Sequence, residues 1–256
     1  MPDRVVVGID VAATRPCTAV AVRAGRVAEA RDWYEAAAVK ELVSWVHERQ
    51  PVVVAVDAPQ GFNKRLLAAP RPGQAVGSLP AEAVPASSRS RVCDYELLRR
   101  RLGVYQVPAR ADVTDDSAKL PDWMAVGFRL FRELRHLHYE VPSEDGLPGA
   151  FGQPPALLEV YPYAAFVAIN GRLLPRKSER QGLRRRVQLL RAAGVRWDQH
   201  PEKHEEYYDH DSLDALAAAL TAARYLQGVA TAIGHAGEGL IWLPVTAGAL
   251  QRSYST

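Results

Sequence analysis

RVVVGID at residues 4–10 and PVVVAVDAP at residues 51–59 decide the fold. Each is a run of β-branched and small apolar residues that stops at an acid, Asp10 in the first and Asp57 in the second. Runs this apolar have no polar face to offer water, so the second in particular reads as an interior parallel strand covered on both sides. Between them, residues 18–22 and 27–33 have strand character and Ala24-Gly25 can turn tightly, which predicts an antiparallel hairpin or meander. Residues 35–50 place Val39, Leu42, Val43 and Val46 at helical spacing, and Pro51 ends that helix. A crossover helix between two apolar strands predicts that they lie side by side and parallel, about 4.8 Å apart. Asp10 and Asp57 then stand together at one edge of one sheet.

Outward from this pair the chain continues as an α/β protein. Residues 62–90 hold Pro70, Pro72, Pro80 and Pro85 with little periodicity, the signature of a long loop over one end of a sheet. Residues 93–102 predict a short helix closed by Gly103. A stronger helix follows, with Asp122 able to cap it and a stripe of Met124, Phe128, Phe131, Leu134 or Arg135, and Leu137 or His138. Residues 142–155 read as a loop. ALLEVYP at 156–162 supplies a further strand with Glu159 near its end, followed by an apolar helix or turn around 163–169. A basic amphipathic helix spans 179–193 and stops at Gly194, and the most regular helix spans 211–226 and stops at Gly228. IWLPV at 241–245 is a final strand or a cover segment. The expected architecture is one domain over 1–256, a mixed β-sheet with flanking helices and a large insertion at about 62–155.

Composition excludes several classes. The 256 residues are 48% apolar and 24% charged, the profile of a globule able to bury one large core and not of a disordered or fibrous chain. The longest apolar stretch, VYPYAAFVAI at 160–169, is too short to span a bilayer. MPDRVVVGID enters a strand with no preceding signal-like segment, so a cytoplasmic location is expected. Cys17 and Cys93 lack the spacing of a zinc ribbon or a disulfide framework. The net charge of +3 is small, but its distribution is uneven. Residues 172–196 carry eight Arg and one Lys against one Glu, and residues 198–214 carry seven acids against one Lys. The basic stretch reads either as a solvated helix face or as a patch for phosphates.

Five acids stand where elements begin or end. Asp10 and Asp57 end strands, Glu159 lies near the end of another, and Asp211 and Asp214 share a face at the start of the 211–226 helix. Carboxylates gathered this way repel one another unless protons or a cation compensate them, and an all-oxygen ligand set favours magnesium or manganese over zinc. His210 could orient a water or donate to a phosphate.

GIDVA at 8–12, VDAPQGF at 56–62, LEVYPYAAF at 158–166 and HDSLDALAAAL at 210–220 resemble the family named domain of unknown function 429, regarded as predicted nucleases of the ribonuclease H-like fold. Arg91, Cys93 and Asp94, Lys177, and EGLIWLP at 238–244 extend the likeness over almost the whole chain. The resemblance implies an acidic centre of Asp10, Asp57, Glu159 and Asp214, with Asp211 similar to the first acid of the DxxDA pair in Holliday-junction resolvases. Glu35 or Glu41 is the alternative third acid, since ribonucleases H take a Glu from their first helix. The expected activity is a divalent-metal-dependent nuclease on DNA or RNA with two ions, Asp10 bridging them. Arg and Lys from 176 to 186 are candidate phosphate contacts, Lys177, Arg184 and Arg185 above all, and Tyr161 and Tyr163 either stack on a base or fill the core. Three other readings stay open: a non-catalytic nucleic-acid-binding or scaffold protein, a kinase or ATPase using GHAGEG at 234–239, and a phosphohydrolase for small molecules.

Overall fold

A computed structural model describes residues 4–12, 17–34, 38–66, 90–110, 113, 120–143, 154–197 and 210–253. The opening meander is β1 (Val5–Asp10), β2 (Cys17–Arg23) and β3 (Arg26–Trp33), followed by α1 (Val39–Arg49) and β4 (Val53–Asp57). Then come α2 (Val92–Arg99), α3 (Asp122–His136), β5 (Ala156–Val160), α4 (Pro162–Asn170), α5 (Arg180–Ala192) and α6 (His210–Leu226). A hairpin of β6 (Thr231–His235) and β7 (Gly239–Leu243) precedes α7 (Ala247–Ser253). The seven strands form one sheet in the order β3-β2-β1-β4-β5-β7-β6. β1, β4, β5 and β7 run parallel, and the outer pairs β1–β2, β2–β3 and β6–β7 are antiparallel. This is the α/β architecture expected of a ribonuclease H-like chain: a meander, a helix, parallel strands and a late acidic helix.

Side chains alternate between the faces of the sheet, and each face has its own core. Val7, Ile9, Val54, Val56 and Leu157 pack with Trp45 of α1 and Leu130, Phe131 and Leu134 of α3. Val6, Val53, Ala55, Leu158 and Val160 pack on the other side with α4, α5 and the alanines of α6. α6 lies almost in backbone contact with β1. A Cβ added to Gly8 would come within 2.1 Å of the Ala215 carbonyl and 2.3 Å of the Ala219 amide. Glycine in the strand and alanine on the helix remove the side chains that normally hold such layers apart.

Four local expectations are corrected. Asp122 is the first residue of α3 and does not cap it; Pro121 holds the cap position with no side-chain bond. Phe128 leaves the buried stripe, which runs through Met124, Val126, Gly127, Leu130, Phe131 and Leu134, and packs edge-on against Phe62 at 4.7 Å. α2 ends at Arg99, and the amide of Leu102 returns to the Leu97 carbonyl, so Gly103 closes nothing. GHAGEG is the turn of the β6–β7 hairpin, and Glu238 within it accepts from the amides of Lys64 at 2.7 Å and Val92 at 2.9 Å. The latter bond satisfies an otherwise orphan donor at the start of α2. Residues 67–89 and 144–153 of the two expected loops, Glu35, and the acidic run 198–209 lie outside the described residues. Among the described residues no helix is long and apolar enough to cross a membrane.

Candidate metal centre and its cleft

Residues paired across parallel strands point to the same side of the sheet, and Asp10 is paired directly with Asp57. Both carboxylates therefore leave the C-terminal edge on the side covered by α6. The close approach at Gly8 brings the first turns of α6 to the same edge, and Asp214 completes a group of three. One carboxylate oxygen from each of Asp10, Asp57 and Asp214 lies within 4.8 Å of the others. Asp10 and Asp214 are buried, at 7% and 5% exposure, and Asp57 is half-buried.

Withdrawal from water dominates the electrostatics of the three acids. It pushes the Asp10 carboxyl up to about 8, with the charges of Asp214 and Asp211 adding to the rise. Asp57 is raised well above the ordinary carboxyl range by the same loss of water and then by Asp10 and Asp214. Asp10 and Asp57 share a hydrogen bond, which requires a proton on one of them. Asp214 is also raised by burial, although Lys177 donates to its Oδ2 at 2.7 Å and opposes the shift. Burial works against the Lys177 ammonium, but the carboxylates of Asp214, Asp10 and Asp57 raise its pKa overall. Lys177 and then Arg186 thus offset part of the repulsion at Asp214, whereas Asp10 and Asp57 are driven to hold protons.

Glu159 lines the same cleft but lies outside this close group of three. It is paired with Val56 and so points to the opposite face of the sheet from Asp57. Its Oε1 accepts from Arg91 Nη2 at 2.6 Å, and its Oε2 accepts from Arg91 Nη1 at 2.9 Å and from the Gln60 amide at 3.0 Å. Arg91 in turn binds both oxygens of Asp94, Nε to Oδ2 at 3.0 Å and Nη2 to Oδ1 at 2.8 Å. Glu159, expected as a ligand beside Asp10 and Asp57, is instead held by Arg91, because it lies one residue before Val160, the position level with Asp57, and so has the opposite strand phase. Asp211 accepts a 2.6 Å contact from His210 Nδ1 and lines the same cleft, outside the close group of three. Glu41 is an exposed residue in the first turn of α1.

The acids form the floor of a cleft of about 860 Å³. Arg176, Lys177, Ser178 and Arg186 line it from α5 and the segment before it, and Tyr105 and Trp123 line it from the 100–110 segment and α3. Gly182 lets α5 seat against the Arg176 backbone, because a Cβ there would come within 2.0 Å of the Arg176 carbonyl. Of the three phosphate contacts expected above all, Lys177 lies in the cleft. Arg184 is exposed and does not line it, and Arg185 is turned away, its Nε and Nη2 donating to Asn170 Oδ1 at 3.0 and 2.8 Å. The cation that faces the cleft is the next one, Arg186. It is buried, its Nη1 donates to the carbonyls of Pro175 and Gly182 at 3.0 Å each, and its Nε has no partner among the described residues. Arg186 was legible in phase, four residues after Gly182 and four before the buried Leu190. Tyr161 and Tyr163 also line the cleft, and the Tyr161 hydroxyl donates to the Gly103 carbonyl.

The fold and this edge define an α/β protein whose parallel strands and late helix converge on a buried aspartate triad. The chain belongs to the family described as Protein of unknown function (DUF429), whose model matches residues 8–238. No curated protein matches it. Among solved structures, it is similar to T. thermophilus RuvC in complex with Holliday junction substrate, at 14% identity and a TM-score of 0.38, over 88% of this chain and 96% of that one.

Proposed function

We propose that this protein is a divalent-metal-dependent nuclease that hydrolyses phosphodiester bonds of DNA or RNA. The observation that carries the reading is the convergence of Asp10, Asp57 and Asp214 at the floor of a cleft lined by Arg176, Lys177 and Arg186. The donor set fits a hard cation such as magnesium or manganese: three carboxylates, with no nitrogen or sulfur among them. Asp10, Asp57 and Asp214 would hold it, with Asp211 at the rim. Two divalent cations held there would supply an activated water and neutralise charge on the reacting phosphate.

The chain's own residues account for the remaining requirements. Asp10, paired with Asp57 across the sheet and close to Asp214, would serve as a ligand together with both. Lys177, whose side chain is 47% exposed, can exchange its bond to Asp214 for one to a phosphate oxygen. Arg186 is held in place through its Nη1 bonds, so its unpaired Nε and remaining Nη2 are oriented in advance. Phosphate contacts of this kind hold a strand without reading its sequence.

A magnesium and manganese screen over labelled single-stranded, duplex, hybrid and branched substrates tests the reading. Metal-dependent cleavage by the parent, lost in Asp10→Asn and Asp214→Asn, supports it. Retention of metal affinity and cleavage in both variants would refute it. One observation favours a second reading, a nucleic-acid-binding scaffold without turnover: Lys177 already lies on Asp214 and supplies part of the compensation a metal would provide. That protein would bind polynucleotide and show no metal-dependent product.

A further inference from the structure

Two rings at the mouth of the cleft are left unexplained by metal chemistry. Tyr105 is 72% exposed, and its ring meets that of Trp123 edge-on, with centroids 5.5 Å apart and planes at 62°. A large exposed aromatic beside a second ring commonly marks a surface that waits for a partner. The pair is also anchored. Tyr161, directly after β5, donates its hydroxyl to the Gly103 carbonyl two residues before Tyr105, and Trp123 is held by the buried stripe of α3.

The two linings of the cleft approach from opposite faces of the sheet. α3 packs on the face of Val7 and Ile9, and α5 on the face of Val6 and Leu158. Rings and guanidinium groups therefore flank the acid floor from two sides. A nucleotide has this layout: a flat base at one end and a phosphate at the other. The volume, about 860 Å³, falls among sites that enclose small molecules, about 300–1,000 Å³. A base stacked inside a duplex has both faces covered, whereas an unpaired base can lay one on an aromatic side chain.

We propose that the cleft receives an unpaired nucleotide, its base stacked on the Tyr105–Trp123 pair and its phosphate facing Arg176, Lys177 and Arg186, so that the substrate is a single strand or an unpaired end and not continuous duplex. This rests on the nuclease reading and narrows its substrate class.

The test is fluorescence anisotropy of a labelled single-stranded oligonucleotide and of the blunt duplex made from it, with calcium in place of magnesium to hold turnover back. The parent should bind the single strand more tightly than the duplex. Tyr105→Ala and Trp123→Ala should weaken single-strand binding by roughly 5- to 150-fold, the range for losing one base–aromatic stack, with little change for duplex. Tyr105→Phe keeps the π face and should bind like the parent. Tyr105→Leu keeps apolar packing on Trp123 without that face and should behave like Tyr105→Ala, which separates stacking from local collapse. If the parent binds duplex as tightly as single strand, or if Tyr105→Ala and Tyr105→Leu leave single-strand affinity unchanged, the inference falls. Should Asp10-dependent cleavage persist in that case, the nuclease reading stands without it; if no polynucleotide binds, both fall.

Discussion

Two clusters of charge line one cleft at the same sheet edge, and they differ in how their oxygens are satisfied. Around Arg91, each of the four carboxylate oxygens of Asp94 and Glu159 accepts a guanidinium hydrogen bond, and one also accepts the Gln60 amide. Around Asp10, the described donors to three carboxylates are Lys177 and the proton shared between Asp10 and Asp57. The first cluster is complete in the polypeptide. The second leaves carboxylates with few described donors, and burial and mutual repulsion raise their proton affinity. Acid content alone therefore does not mark a metal centre; the shortfall of donors does.

The difference can be broken most sharply at Asp10. Asp10→Asn removes a hard ligand and one repelling charge together, so metal-dependent cleavage should fall by more than the roughly 10- to 100-fold typical of losing an outer-shell partner. Its apo form should melt no lower than the parent, and the gain in melting temperature with magnesium should largely vanish. Parent-like cleavage and a parent-like magnesium shift would place Asp10 in the same structural category as Glu159.

Arg91→Ala should act in the opposite sense. It strands two buried carboxylates, and urea unfolding should show a loss of about 3–5 kcal/mol, irrespective of added metal. A loss below ~1 kcal/mol would mean that the cluster is not self-contained.

Gly8→Ala comes next in size. The added methyl group must push α6 away from β1, at a cost of about 1–3 kcal/mol. The displacement should also weaken the stabilisation by magnesium, which titration calorimetry would register, because Asp214 rides on that helix.

Protonation sharpens the comparison without mutation. Asp10 is raised to about 8, so the folded protein binds a proton that the unfolded chain releases near the ordinary carboxyl value of about 4. The stability from that proton is fully present below about 4 and is lost as pH rises toward 8. Metal-free melting temperature should decline across this window, and saturating magnesium should flatten the decline. A metal-free curve that rises through the same window would contradict the raised Asp10 carboxyl.

The smallest effect is expected at Arg184. It is exposed outside the cleft, so Arg184→Glu should change polynucleotide affinity little, whereas Arg186→Gln should reduce it and lower its salt dependence. Equal effects at both positions would restore the broad basic patch expected from composition.

The sheet edge was legible because β1 and β4 carry their acids at equivalent points of two similar apolar runs, and parallel pairing puts them side by side. Asp214 was legible as an acid at a helix start, though its arrival beside Asp10 depends on the Gly8 contact, which joins positions far apart in sequence. Glu159 differs by one step of strand alternation, and the basic run 176–186 holds Arg186, which lines the cleft, beside Arg184 and Arg185, which do not, because a run of three arginines hides helical phase. The β6 strand escaped notice because TAIGH is short and carries Gly234 at a φ of +114°. Tyr105 and Trp123 had no sequence signal in common, since they meet only in space.

The contact between β1 and α6 also bears on when the centre can exist. β1 leaves the ribosome early and α6 late, and pairings across so much chain form slowly because closing the intervening loop opposes them. During synthesis Asp10 and Asp57 can be brought together by the first half of the sheet, but the third acid arrives only when α6 has docked. A nascent chain halted before residue 210 carries two acids and no triad. Assembly of the triad is in this way tied to the docking of α6, so the centre is among the last features of the fold to form.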